Sequence, residues 1–428
     1  MKIKVTFFIF LIFVNVFLNG IIAAEERTIH FKRITIDDGL SQSAIFCFMQ
    51  DSRGFLWIGT QDGLNKYDGY TFQVFKPDRD DPNSLSNNWI TALCEDNSGK
   101  IWIGTRGGGL NKLDPEQEKF TRYPFSKDNP GCIDSGYIET VYQGSSGAIW
   151  VGTRGGGLSK ITMETDRENP ERVKEKIHNY RHIPSNPNSL ADDTVNSILQ
   201  DRAGSFWIGT NNGLDKLDEK NGVFNHYVHN PHDPNSLSDD YIHTIYEDSE
   251  GLIWIGAHRG LNSFDKKTGK FTNYRNKPED PNSLSYDNIS AIIEDYSGVL
   301  WISTMGGGLN KFNKKTGTFT HYRYTPDDPN SISYDIIQCI YEDRSHTIWI
   351  GTSGKGLNLF DRLHNFQLYR SILNNPNSLG NNYIYSVYQD HLGLIWIGTS
   401  GGGLDRFNRE TGTFTHFRSS PDNPRSPS

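Results

Sequence analysis

Cysteine is scarce in this chain. Cys47, Cys94, Cys132 and Cys339 are the four in 428 residues, and none stands in a Cys-x-x-Cys pair. That spacing excludes a disulfide framework, and no His/Cys cluster has the spacing of a zinc site. Positive charge is also short. Lys and Arg number 43 against 51 Asp and Glu, a net charge of −8, which argues against nucleic acid or an anionic membrane surface as the main partner. Long apolar runs are missing beyond the N-terminus. There, Lys2 and Lys4 precede the run Val5–Val14, and Ile22-Ala23-Ala24 stands before Glu25. The run is interrupted at Asn15 and Asn19 and is short of the ~20 apolar residues a spanning helix needs. Residues 1–24 therefore read as a secretory signal peptide, and the chain as exported to the periplasmic or extracellular side of a cytoplasmic membrane.

Tryptophan, by contrast, is spent on one position. Eight of the nine, Trp57, Trp102, Trp150, Trp207, Trp254, Trp301, Trp349 and Trp396, stand in Trp-Ile-Gly-Thr or a close variant, at intervals of 45 to 57 residues. Short apolar runs and Gly turns at such a period mark the blades of a β-propeller. In the copy around Trp254, four strands follow one another: Tyr241–Glu247, Leu252–Gly256, Leu261–Asp265 and Phe271–Arg275. The fold class is therefore all-β, a propeller of four-stranded antiparallel blades built from eight repeats.

Alignment on the turn Asp of Asp-x-x-Gly-x-x-Trp, present in nearly every copy, makes the pleat visible. Six residues earlier stand Ile45, Ile90, Ile138, Val195, Ile242, Ile289, Ile337 and Ile384, all β-branched. Four earlier the residues are small: Cys47, Ala92, Thr140, Ser197, Thr244, Ala291, Cys339 and Ser386. That suits an innermost strand, where blades crowd near the axis and both faces are packed. Gly-Leu opens each third strand, with the glycine supplying a positive-φ turn position. Asp-Pro-Asn-Ser-Leu or a near copy at 81–85, 186–190, 233–237, 280–284, 328–332 and 375–379 forms a rigid link between blades. In copy three, Met163–Lys176 adds charged residues expected to form a solvated loop.

Phe31-Lys32-Arg33-Ile34-Thr35, Asp38-Gly39-Leu40-Ser41, Asp51-Ser52-Arg53-Gly54-Phe55-Leu56-Trp57-Ile58-Gly59-Thr60 and Gly63-Leu64 closely resemble the two-component regulator propeller family. Those are extracytoplasmic sensor modules of bacterial histidine kinases. The resemblance covers Ile29 to the end. It implies seven-bladed propellers, usually two in tandem, and a histidine kinase module in cis or in trans. No kinase sequence follows within this chain, which resembles a truncated or split sensor.

Ile29–Thr35 resembles a fourth strand without its own first three. It is expected to complete copy seven, so that repeats one to seven (residues 25–365) close a ring. Residues 366–428 would then begin a second propeller, with Phe366–Arg370 as its opening strand. The alternative is one ring of eight blades.

Inter-blade links and the turns between second and third strands lie on one face of a propeller, around the axial mouth. There the copies differ. The turns carry Arg106, Arg154, Asn211, His258, Arg259 and Lys355, and seven residues before the turn Asp stand Trp89, Tyr137, Tyr241 and Tyr383. Aromatic faces beside Arg, Asn and His suit an oligosaccharide, which needs apolar stacking and fixed hydrogen bonds. No singular acid–base pair, nucleophile or metal cluster stands out from the repeats. The sequence therefore predicts no catalytic residue, no metal and no cofactor, and a non-catalytic ligand sensor that is possible to build as a homodimer. The alternatives are a protein-interaction scaffold or a propeller hydrolase or lyase acting on glycans.

Overall fold

A computed structural model describes residues 29–129, 131–165, 173–361, 369, 371–372, 375–391, 394–408 and 413–419. The leader expected over residues 1–24 lies outside them. The described residues form eight four-stranded antiparallel sheets and one short 3-10 turn, Ile36–Asp38. The chain divides into two compact units, Met1–Arg362 and Leu363–Ser428.

The first unit holds seven blades. In blades one to six the strands pair in chain order, as in Ile242–Glu247, Ile253–Ala257, Gly260–Asp265 and Lys270–Tyr274 of blade 5. Blade 7 takes its first three strands, Ile337–Glu342, Thr347–Thr352 and Leu357–Asp361, from the end of the unit and its fourth, Lys32–Ile34, from the beginning. The register is Lys32 opposite Leu359 and Ile34 opposite Leu357. Elsewhere the fourth-strand Phe donates its N–H to the Asn carbonyl of the preceding link, as Phe271 does to Asn235 and Phe319 to Asn282. Phe31 does the same to Asn330 at 2.9 Å. The innermost strand of blade 7 packs beside that of blade 1, Ile45–Gln50, so the ring is closed.

Closure repeats one set of bonds at each junction. The glycine opening the third strand donates to a carbonyl just before the next blade: Gly63 to Asn88, Gly109 to Gly136, Gly157 to Asp193, Gly213 to Asp240, Gly260 to Asp287, Gly308 to Asp335 and finally Gly356 to Ser43 of blade 1. Gly260 has φ +127°, and a Cβ there would come within 2.9 Å of the Tyr274 carbonyl oxygen. Both sterics and backbone conformation thus demand glycine. The glycine of Trp-Ile-Gly-Thr has a different reason. A Cβ on Gly351 would stand 2.8 Å from Ile45 Cγ2 of the neighbouring blade, so this glycine makes room for the next blade's β-branched residue.

The motif Trp is the core of each blade. Trp57, Trp102, Trp150, Trp207, Trp254 and Trp301 are all fully or almost fully buried. A large buried indole needs a partner for its N–H, and the turn Asp supplies it: Asp51, Asp96, Asp201, Asp248, Asp295, Asp343 and Asp390 accept from the Trp of their own copy at 2.7–3.0 Å. The second Oδ of Asp248 holds the turn, accepting from the backbone of Glu250 and Leu252. Copy three departs from this pattern. Gly144 replaces the Asp, and Trp150 Nε1 is buried without an acceptor. Phe206 of blade 4 fills the space, its ring 4.6 Å from Trp150.

Residues 166–172 of the insertion in copy three lie outside the described residues, but its described ends are strand rather than the solvated loop expected from its charge. It lengthens two strands, Leu158–Thr165 and Val173–Tyr180, with Met163 opposite Glu175 and Glu164 opposite Lys174. Glu175 reaches back to blade 2, where Lys112 Nζ and Tyr123 Oη each donate to it at 2.7 Å. Charged strand ends that find such partners extend the sheet rather than leaving it.

The second unit is a single four-stranded sheet: Ile384–Gln389, Ile395–Thr399, Gly403–Asn408 and Thr413–Phe417. Leu379, Ile397, Phe407 and Phe414 are its buried core. Its first strand is exposed throughout, with Ile384 at 48% where Ile45 and Ile337 are at 0%. Phe366–Arg370, expected as an opening strand, falls outside the described residues except for Tyr369, whose ring lies 4.5 Å from Phe407.

The closed ring carries a prediction about its thiols. Cys47 and Cys339 occupy equivalent places in blades 1 and 7, and burial pushes the Cys47 thiol up to about 12. Cys339 is raised as well, by burial and then by Cys47 itself. Because the thiolate is the reactive form, neither should react with an aromatic disulfide reagent at pH 8 until the chain is unfolded in guanidinium. Rapid labelling of both in the native protein, read by peptide mass, contradicts the closed junction.

Candidate functional site

One end of the ring is built from the residues that vary. In every blade the first residue of the turn between second and third strands donates its N–H to the residue just before the innermost strand: Arg106 to Trp89, Arg154 to Tyr137, Asn211 to Thr194, His258 to Tyr241 and Met305 to Asn288. The two sets of variable positions read from the sequence are therefore hydrogen-bonded neighbours at the same end of the axis. Trp89 and Arg106 are half-buried, and the guanidinium stacks 4.2 Å from the centroid of the Trp89 ring. Tyr137 and Tyr241 are exposed, as are His258, Arg259 and Lys355. Tyr383 lies in the other compact unit, in its single blade, where it is exposed.

The structure adds residues that the turn-by-turn comparison missed. In four blades the second residue of the innermost strand reaches the turn of its own blade. Glu139 Oε1 accepts from Arg154 Nε at 2.6 Å, and Asn196 Nδ2 donates to Asn211 Oδ1 at 2.9 Å. Gln338 Nε2 donates to Ser353 at 3.3 Å. His243 lies 6.1 Å from His258 and 4.6 Å from Tyr241, ring to ring. These positions also vary, as Phe46, Thr91, Glu139, Asn196, His243, Ser290 and Gln338. That variation between invariant neighbours was the signal available in the sequence.

Some of these side chains also bind blades together. Thr91 Oγ1 donates to the Ile138 carbonyl of the next blade at 2.6 Å, and Asn196 Nδ2 to that of Ile242 at 2.8 Å. His243 makes no such bond. Its Nε2 is buried and unpartnered, as are Trp89 Nε1 and Asn288 Oδ1.

Burial, and secondarily the charge of His258, depresses His243 to about 4. Unfolded, it titrates near 6.5. The unfolded chain therefore binds more protons between those values, and the stability this group contributes is present above pH 6.5 and lost as pH falls towards 4. The expected loss is up to about 3 kcal/mol. In urea midpoints taken across that range, His243→Gln should flatten this part of the pH dependence, and an unchanged slope refutes the assignment.

Among the described residues no group of three or more His, Cys, Asp or Glu is placed to hold a metal ion. No helix among them is long and apolar enough to cross a membrane.

The sequence profile described as two component regulator propeller matches residues 39–62, 84–107, 189–212, 236–259, 283–306, 331–354 and 378–401. It passes over copy three, the one with Gly144. A histidine kinase P4 of Formosa agariphila is 44% identical over 70 residues, which is 16% of this chain and 5% of that protein. Among solved structures, the extracellular domain assigned to the hybrid two component system BT3049 of B. thetaiotaomicron superposes with a TM-score of 0.67 at 26% identity, covering 91% of this chain and 49% of that one. This chain thus spans about half of that sensor domain and a small part of the kinase. A virginiamycin B lyase from Staphylococcus aureus, at 13% identity and a TM-score of 0.53 over 78% of this chain and 99% of its own, shares the fold alone. The seven matched repeats, with the blade architecture they specify, place this chain in the two component regulator propeller family.

Proposed function

We propose that this chain is the ligand-sensing propeller of a two-component system, exported from the cytoplasm, and that its ligand is an oligosaccharide held at the axial mouth. The observation that carries the reading is the division of labour between positions. Repeated residues are committed to closing the ring, while the mouth differs in every blade and presents Tyr137 and Tyr241 beside arginine, asparagine and histidine. Exposed aromatic faces flanked by oriented donors are what a sugar ring requires. Relatedness to a histidine kinase and to extracellular sensor domains supports export and a kinase as the reader, in cis or in trans. Signalling would follow from a population shift, the ligand favouring one arrangement of propellers or protomers. A homodimer would serve that arrangement.

Titration calorimetry of the exported chain against a panel of neutral and acidic oligosaccharides tests this. The expected result is saturable binding that Tyr241→Ala weakens at least about tenfold without lowering the melting temperature, and no turnover of any panel member. Absence of binding across the panel, or product formation that follows the protein through purification, overturns the reading.

A further inference from the structure

Arg106 and Trp89 differ from everything else at the mouth. Trp89 is the one tryptophan outside the repeated motif, and Arg106 lies against its face at 4.2 Å. The other mouth arginines are neutralised. Arg154 is held by Glu139 at 2.6 Å, and Arg259 faces Asp239 at 3.5 Å. Among the described residues the Arg106 guanidinium has neither a carboxylate partner nor a hydrogen bond; only its backbone N–H is engaged, by the Trp89 carbonyl at 2.9 Å.

This arrangement is unusual in a chain of net charge −8, where carboxylates are plentiful. Stacking on the indole fixes the plane of the guanidinium and lowers its freedom. It leaves the edge, with its forked N–H donors, open. A pre-oriented fork of that kind matches a two-oxygen acceptor and binds it by paired, charge-assisted hydrogen bonds. The neighbouring residues set what carries the acceptor. Arg106 is paired through a backbone β-bridge with Tyr137 of the next blade, and Tyr137 is 49% exposed, an apolar ring on the neighbouring blade. Gly107 and Gly108 follow Arg106, and neither adds a side chain to the approach; the Gly107 Cβ position lies 3.9 Å from the Tyr137 ring. Lys355 on blade 7 adds a second exposed cation to the same rim, with no carboxylate partner among the described residues.

We propose that Arg106, stacked on Trp89 and flanked by Tyr137, forms an oxyanion subsite that takes a carboxylate or sulfate group carried on a sugar ring. The proposal rests on the oligosaccharide reading above and narrows it to acidic sugars. Here Arg106 supplies the paired donors, Trp89 holds it flat and Tyr137 stacks on the ring.

The test is calorimetry on the full chain with three probes: an oligogalacturonate of four residues, the same oligosaccharide fully methyl-esterified, and a sulfated carrageenan tetrasaccharide, which carries sulfate and no carboxylate. The two acidic probes separate a carboxylate from a sulfate, and the ester removes charge while keeping the backbone. At least one acidic probe should bind at least about tenfold more tightly than the ester. Arg106→Gln should abolish that preference and leave affinity for the ester within about twofold. Arg106→Lys should recover little of it, because an ammonium lacks the planar fork. Lys270→Gln, on the outer edge of blade 5, removes the same charge away from the mouth and should leave the preference intact. Equal loss with Lys270→Gln means a general field effect and overturns the subsite. If the ester binds as well as the acids and Arg106→Gln changes nothing, the subsite fails while the oligosaccharide reading stands. If no probe and no member of the wider panel binds, both fail.

Discussion

A chain that begins at Thr35 should lose the cooperative unfolding of its first unit. The removed residues include the fourth strand of blade 7, Lys32–Ile34, and with it the buried side chains of Phe31 and Ile34. Phe31 sits in the same cluster as Trp301, Ile337 and Phe360, its ring 5.2 Å from that of Phe360. Arg33 is lost too, whose guanidinium donates to the Ser331 carbonyl at 2.9 Å and ties the strand to the link. Truncating a buried Phe alone costs about 3–5 kcal/mol. The deletion adds the loss of the ladder to Leu357–Leu359 and uncovers the unpaired edge of Leu357–Asp361, a template for association between chains. The expected outcome is a melting temperature far below that of the intact chain, with higher-order species on size exclusion. A synthetic peptide spanning residues 29–40 should restore part of the loss in trans. A truncated protein that melts like the intact one would show that the ring does not close through its N-terminal strand.

Replacing Trp254 by Ala should be nearly as damaging. The indole is 2% exposed, packed among Leu261, Ile289, Leu300 and Phe312, and its N–H is bonded to Asp248 at 2.8 Å. Removal costs about 3–5 kcal/mol for the cavity. It also leaves Asp248 with Lys314 Nζ, 2.7 Å away, and the turn backbone as its remaining partners. Arg259→Ala, two residues beyond the motif on the exposed turn, removes an ion pair to Asp239 at 3.5 Å in which the arginine side chain is 70% exposed. Such a pair contributes about 0–1 kcal/mol. Equilibrium denaturation should therefore separate the two variants by several-fold in effect. Equal effects would dissolve the distinction between scaffold and mouth on which the functional reading depends.

The scaffold was legible because each scaffold position repeats. A glycine at positive φ facing a carbonyl, an indole needing an acceptor and a β-branched residue wedged between blades are each required wherever two blades meet, so the sequence states them again at each junction. The departures are legible only in three dimensions. Gly144 breaks the Asp-to-Trp bond, yet the phenyl ring that fills the gap, Phe206, comes from the next blade. The charged insertion of copy three looks like a solvent loop because periodicity says nothing about Lys112 and Tyr123 waiting on blade 2.

The mouth was half legible. Its turn residues stand out because they vary, but their partners on the innermost strand, Glu139, Asn196 and His243, do not follow from spacing alone. Local periodicity by itself determined the blade, its four strands and its turns, since these depend on residues within about fifty positions of one another. The sequence expected Ile29–Thr35 to complete copy seven but left one ring of eight blades open, and the tertiary structure decided for the former. It alone decided that Tyr383 belongs to a second unit and that, among the described residues, Arg106 is left without a carboxylate while Arg154 and Arg259 are paired. Closure of a ring and neutralisation of a charge are both settled by which side chains meet across blades, and short-range patterns carry no record of those meetings.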